Sequence, residues 1–289
     1  MFLVKKRIAL LVAGIVSVGF CFSQSSVWKV SKGENTLYLA GSIHFLRPSD
    51  YPLPLEYETA FEKSDKLILE TDLGEMSTPA TVKKMMAKAI FTDTNTLQSV
   101  LAPETYKLLT EKAEQYSLPM ERLKKFKPSM AISILSVGQL QQLGFSPEGV
   151  DAYYFSKAKE AGKKIEFLET VDYQISVLFG MGEGYENEFV LYSLKDLENT
   201  EKDLLFLVTD WRRGTSDETE KQMKATKEAF PTVYNSLLIE RNDNWFTKIE
   251  SYLTDEPIEF MVVGLAHLYG PDGLLKKLQG KGYTIEQVK

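Results

Sequence analysis

Strand-like and helical segments alternate at both ends of this 289-residue chain, and that alternation constrains the fold more than any other feature. Near the N-terminus, "VWKV" and "NTLYLAGSIH" flank the turn-forming cluster "SKGEN" and read as a β-hairpin. "LPLEYETAFEKSD" follows with helical spacing, and "KLILETDL" reads as a short buried strand. "GVDAYYFSKAKEAGKKIEFLET" contains a helix start, an amphipathic helix, a glycine stop and a further strand. The chain closes on strand "EFMVVGLAH", helix "PDGLLKKLQGKG" and strand "YTIEQV". Between about Met76 and Gly144, and again from Tyr173 to about Glu240, apolar residues recur at spacings of three and four, broken by "WRRGTSDE". The expected architecture is α/β: a central mixed sheet with flanking helices and a large helical insertion. No Pro/Gly/Ser-rich linker divides it, so residues 24–289 read as one domain.

Residues 1–23 are set apart from that domain. Lys5, Lys6 and Arg7 precede an apolar stretch from about Ile8 to Phe20, and small residues Cys21 and Ser23 bracket Phe22 before Gln24. This is the layout of a cleaved export signal, with an uncleaved membrane anchor as the alternative. The three basic residues leave with it, so 31 basic residues face 40 acidic ones in the remainder, a net charge of about −9. That balance argues against nucleic acid or anionic membrane surfaces as partners. Cys21 is the only cysteine, so the exported part has no disulfide framework, thiol nucleophile or thiolate metal site.

The two histidines of the chain share one context. His44 in "LAGSIH" and His267 in "VVGLAH" each stand three positions after a glycine that ends an apolar strand. The triplet Leu-Glu-Thr also occurs twice, with Glu70 and Glu169 closing strands. In open α/β sheets ligands bind beyond the carboxyl ends of the strands, where all four residues would stand. Two neutral imidazoles and a carboxylate are a common catalytic metal set, with a further position left for water. A second carboxylate can orient a histidine ligand or handle a proton. Plainer readings stand beside these. A strand-end histidine is often packed and hydrogen-bonded, Glu70 could be a solvated strand end, and Glu169 could favour a helix N-terminus. Asp151 reads as a cap or first-turn residue. Arg241, followed by Asn242 in "LLIERNDNW", suits either an oxyanion donor or a surface ion pair.

From "LYLAGSIH" through "LILETDL", "GVDAYYFSKAKEAGKKIEFLETVDYQ", "WRRG" and "LLIERNDNW" to "VVGLAHLYGPDGLLKKLQGKGYTIEQV", the order and spacing of segments resemble the TraB/GumN family, from about Trp28 onward. That family is related to the Tiki metal-dependent proteases and, more distantly, to erythromycin esterase and ChaN-like haem-binding proteins. The resemblance implies that His44 and His267 are the paired motif histidines, Glu70 the motif glutamate, and Arg241 with Asn242 the distal arginine–asparagine pair. It also raises Asp151 and Glu169 as supporting residues. The function expected is an exported, periplasmic or extracellular, metal-dependent hydrolase acting on a peptide or small carbonyl compound. His44, Glu70 and His267 would hold manganese, cobalt or zinc, and Arg241 would steady the oxyanion. The alternatives are a metal-free esterase, with His44 as base and Glu70 orienting it, and a non-catalytic haem- or peptide-binding protein.

Overall fold

A computed structural model describes residues 24–254 and 256–289. The export signal read in residues 1–23, Cys21 included, lies outside the described residues. Strands β1 (Val27–Lys32), β2 (Asn35–Ser42), β3 (Lys66–Leu69), β4 (Lys164–Phe167), β5 (Glu259–Gly264) and β6 (Thr284–Gln287) form one sheet. Their order is β4-β3-β5-β2-β1-β6. Neighbours from β4 to β2 run parallel, while β1 is antiparallel to both β2 and β6, so the sheet is mixed. The predicted hairpin joins β1 and β2, with Lys32 opposite Asn35 across the two-residue loop Gly33–Glu34.

Burial follows position in the sheet. Every residue of β3 and β5 is buried; after Lys66 and Glu259, which begin the two strands and pair at 2.9 Å, both continue as the apolar runs expected of strands covered on both faces. The edge strands β4 and β6 contain no fully buried residue. Helices Leu55–Glu62 and Val150–Glu160 bring Tyr57 and Tyr154 against Phe260 of β5. The "WRRG" stretch ends helix Thr200–Arg213, with Trp211 turned inward and donating its Nε1–H to Gly41 O over 3.1 Å. Gly214, at φ 60°, is the left-handed residue that stops this helix.

The helical insertion has a hydrophobic cluster of its own. Leu97, Leu109 and Leu135 pack with Phe189, Val190 and Leu194, apart from the cluster around the sheet. No helix among the described residues is long and apolar enough to cross a membrane.

Candidate active site

The parallel strands place the chemistry. β4, β3, β5 and β2 lie side by side with their carboxyl ends on one edge, so Glu169, Glu70, His267 and His44 follow one another along that edge in spatial order. Helix Glu240–Tyr252 adds Arg241 and Asn242 from its first turn. Helix Val150–Glu160 adds Asp151 from its own.

The two motif turns touch. A Cβ on Gly41 would stand 2.5 Å from Leu265 Cδ1, so the first turn is shaped to receive a side chain of the second. The second glycine leaves room of another kind. A Cβ on Gly264 would meet Glu70 Oε1 at 3.3 Å, His44 Nε2 at 3.4 Å and the His267 ring at 3.6 Å. The three predicted ligands therefore crowd one point beside a strand-end glycine, His267 with its Cδ2 edge.

Each histidine is held by its Nδ1. Asn242 donates its Nδ2 hydrogens to His267 O (3.3 Å) and Asp272 O (2.9 Å), so its Oδ1 must be what faces His267 Nδ1, at 2.7 Å. His267 thus carries its proton on Nδ1, and its Nε2 lone pair accepts from Arg241 Nη1 over 3.1 Å. Burial, ahead of the opposing charge of Glu70, pushes the His267 pKa down to about 3, and the ring is neutral.

His44 is the opposite case. Its Nδ1 lies 3.1 Å from Asp151 Oδ1, which also accepts the Ser42 hydroxyl at 2.7 Å. The Asp151 charge raises His44 to about 9 against the opposing effect of burial, with Glu70 adding to the rise. With 52% of its side chain exposed to the cleft, this pair is open to screening by salt.

Glu70 and Arg241 lock the centre. Glu70 Oε1 accepts the Gly264 N–H at 2.6 Å, and Oε2 accepts from Arg241 Nη2 at 2.5 Å. Burial would raise the Glu70 pKa, but the charges of Arg241 and His44 and the Gly264 amide bring it down to about 2. Arg241 also grips Glu169 through Nε (3.1 Å) and Nη2 (2.8 Å). Trp245 donates its Nε1–H to Glu169 Oε2 at 2.8 Å and places its ring 4.6 Å from the guanidinium carbon. Burial lifts the Glu169 pKa, with Arg241 pulling the other way.

All seven candidate residues thus meet at one end of the sheet. The profile of the TraB/PrgY/gumN family matches residues 26–287, which includes every one of them. The chain belongs to that family. No curated protein and no solved structure matches it. In this TraB/PrgY/gumN member three readings from the sequence change. Asp151 is more than a first-turn residue, because its side chain reaches across to Ser42 and His44. The carboxylate that orients His44 is accordingly Asp151 and not Glu70, whose oxygens go to Gly264 and Arg241. Arg241 is no surface ion pair, being only 6% exposed. Ser42 and Trp245 join the site without a sequence signal that marks them. A serine ending a strand and a tryptophan in a helix carry no signal of their own, although Trp245 does lie four positions after Arg241, on the same helix face.

Proposed function

We propose that this chain is an exported, peptidase-like hydrolase in which His44, Glu70 and His267 hold a divalent metal ion. The observation that carries the reading is that the two imidazole rings and the Glu70 carboxylate come together beside Gly264. The donor chemistry fits. Asp151 and Asn242 hold the Nδ1 atoms, which is how protein partners orient metal-binding histidines; this leaves His44 Nε2 for the cleft, while His267 Nε2 would have to exchange its bond from Arg241 Nη1 for the ion. Charge supports the same reading: the Glu70 and Glu169 carboxylates share a single guanidinium, Arg241, and a third carboxylate, Asp151, lies against His44. A proton on His44 offsets part of that excess, and a divalent ion would neutralise it. Manganese, cobalt and zinc all suit an imidazole–carboxylate set. When bound, such an ion polarises a carbonyl oxygen and lowers the pKa of a bound water. Arg241 Nη1, whose bond to Leu237 O is long at 3.4 Å, is the donor available to negative charge developing on that oxygen.

One observation favours a second reading. Arg241 Nη1 already occupies the His267 Nε2 lone pair. In a metal-free route, His44 held by Asp151 takes a proton from water, and the water oxygen joins the carbonyl carbon. The C–N or C–O bond then breaks as the proton passes to the leaving group. That route needs His44 neutral, so its rate would climb with pH toward about 9.

Elemental analysis of protein purified without a histidine tag, combined with amide and ester hydrolysis before and after chelation, tests the proposal. The expected result is a bound divalent metal, activity lost to the chelator, and recovery with manganese, cobalt or zinc. Hydrolysis by fully metal-free protein would remove the metal from the account and leave the His44–Asp151 route. Export is tested by N-terminal sequencing of the mature chain, which should begin near Gln24; recovery of residues 1–23 from membranes would instead establish an anchor.

A further inference from the structure

The space over the site opens into a cavity of about 440 Å³ whose two parts differ in chemistry. Its floor holds Glu70, His44, His267 and Arg241, the only charged or titrating side chains of Asp, Glu, His, Lys or Arg type that line it among the described residues. Its walls come from several helical segments and are leucine-rich, with Leu140, Leu204, Leu207, Leu237 and Leu238 all lining it. All five are only partly buried, although neighbours such as Val208 and Trp211 are fully inside. Leu204 and Leu207 pack on the sheet core, and Leu237 on the core of the helical insertion, so the cavity lies where the two cores meet.

The polar wall residues do not alter this character. Thr219 Oγ1 donates to Asp210, Gln222 Nε2 to Asp203 O, Thr226 Oγ1 to Gln222 O, and the Tyr234 hydroxyl to Asp272. Each of these four side chains thus turns a donor back into the protein. An apolar group entering the cavity would be removed from water against leucine, whereas a charged one would lose its hydration and find no opposite charge on the walls. At this volume, near the lower end of small-molecule sites, the cavity holds one or two residues' worth of substrate and not a folded segment.

We propose that these walls are the specificity subsite of the enzyme. On this view, which rests on the hydrolase reading above, its substrates are short peptides or small amides and esters bearing a branched aliphatic or aromatic group beside the scissile carbonyl. Substrates with a charged group at that position are excluded.

Binding can be measured without turnover by saturation-transfer NMR, using the chain from Gln24 onward and N-acetyl amides of leucine, phenylalanine, glycine, aspartate and lysine. The leucine and phenylalanine amides should bind at least about tenfold more tightly than the aspartate and lysine amides. Leu207→Lys and, on a different helical segment, Leu237→Lys should each weaken the apolar amides by about tenfold or more, while Leu207→Met preserves them. Two segments are sampled so that a folding defect in one variant, seen by circular dichroism, leaves the other to decide. His44→Ala should abolish hydrolysis and keep the selectivity of binding. Equal binding of leucine and aspartate amides, or no binding of any amide, overturns the subsite whatever the protein hydrolyses. Apolar selectivity without hydrolysis would instead count against the hydrolase reading alone.

Discussion

Arg241 has five N–H donors and each meets an acceptor: two on Glu169, one on Glu70, one at His267 Nε2 and one at Leu237 O. Whatever arrives at the site therefore competes with an existing bond, and Glu70 sets the terms of that competition. With Glu70 as a metal ligand, Glu70→Gln should lose the metal, seen by elemental analysis, together with hydrolysis; with Glu70 as a general base beside a metal held by others, it should keep the metal and lose about 10²–10⁴ of the rate. The cost in stability should be about 1–3 kcal/mol in urea unfolding, because Arg241 keeps Glu169 and the Gly264 N–H can keep an amide oxygen. A variant with full metal occupancy and full turnover would end this view of Glu70. The residues most legible in the sequence were those with a strand end to mark them, His44, His267 and Glu70. Asp151 was hard to assign because acidic residues are common in a first helical turn for local electrostatic reasons. Only the docking of that turn, through the Val150 N–H on Ile43 O, brings its carboxylate to His44.

At the scale of elements, helix Glu240–Tyr252 is the part most firmly fastened to the site. Arg241, Asn242 and Trp245 all point from its first turns into the strand ends, and Trp245 is wholly buried. Trp245→Phe keeps the apolar ring and deletes the hydrogen bond to Glu169. It should destabilise the fold by about 1.5–3 kcal/mol, the range for a bond to a charged group, and reduce kcat more than it raises KM. An unchanged urea midpoint would show that the indole N–H is not holding Glu169. The strands were readable because buried parallel strands are continuous apolar runs, and the hairpin because its turn contains glycine. The π-helical turn Asn235–Ile239 just before Arg241 was not. Such a turn changes which amide bonds which carbonyl, and apolar spacing does not record that.

Across the whole molecule, the buried site should make the metal-free protein acid-sensitive. His267 titrates near 3 in the fold but near 6.5 when unfolded, so the unfolded chain binds the proton first and stability is lost as pH falls through that window. Glu70, held near 2 against an ordinary 4.5, gives a second loss between those values. His44 works the other way: its contribution is complete below 6.5 and fades as pH rises through about 9, weakened by its exposure. Urea unfolding in chelator should therefore give a free energy that declines steadily from pH 6.5 to pH 3; a flat profile would contradict these assignments. The α/β sheet and its helical insertion could be read from pattern, but the cavity between their two cores could not, since it depends on how separately patterned segments pack. The contact of Gly41 with Leu265 ties positions 224 residues apart into one unit of inheritance. A lineage that enlarged residue 41 would have to shrink residue 265 in compensation, so drift at the two motifs should be correlated, and half-genes exchanged between distant relatives should mismatch at this seam.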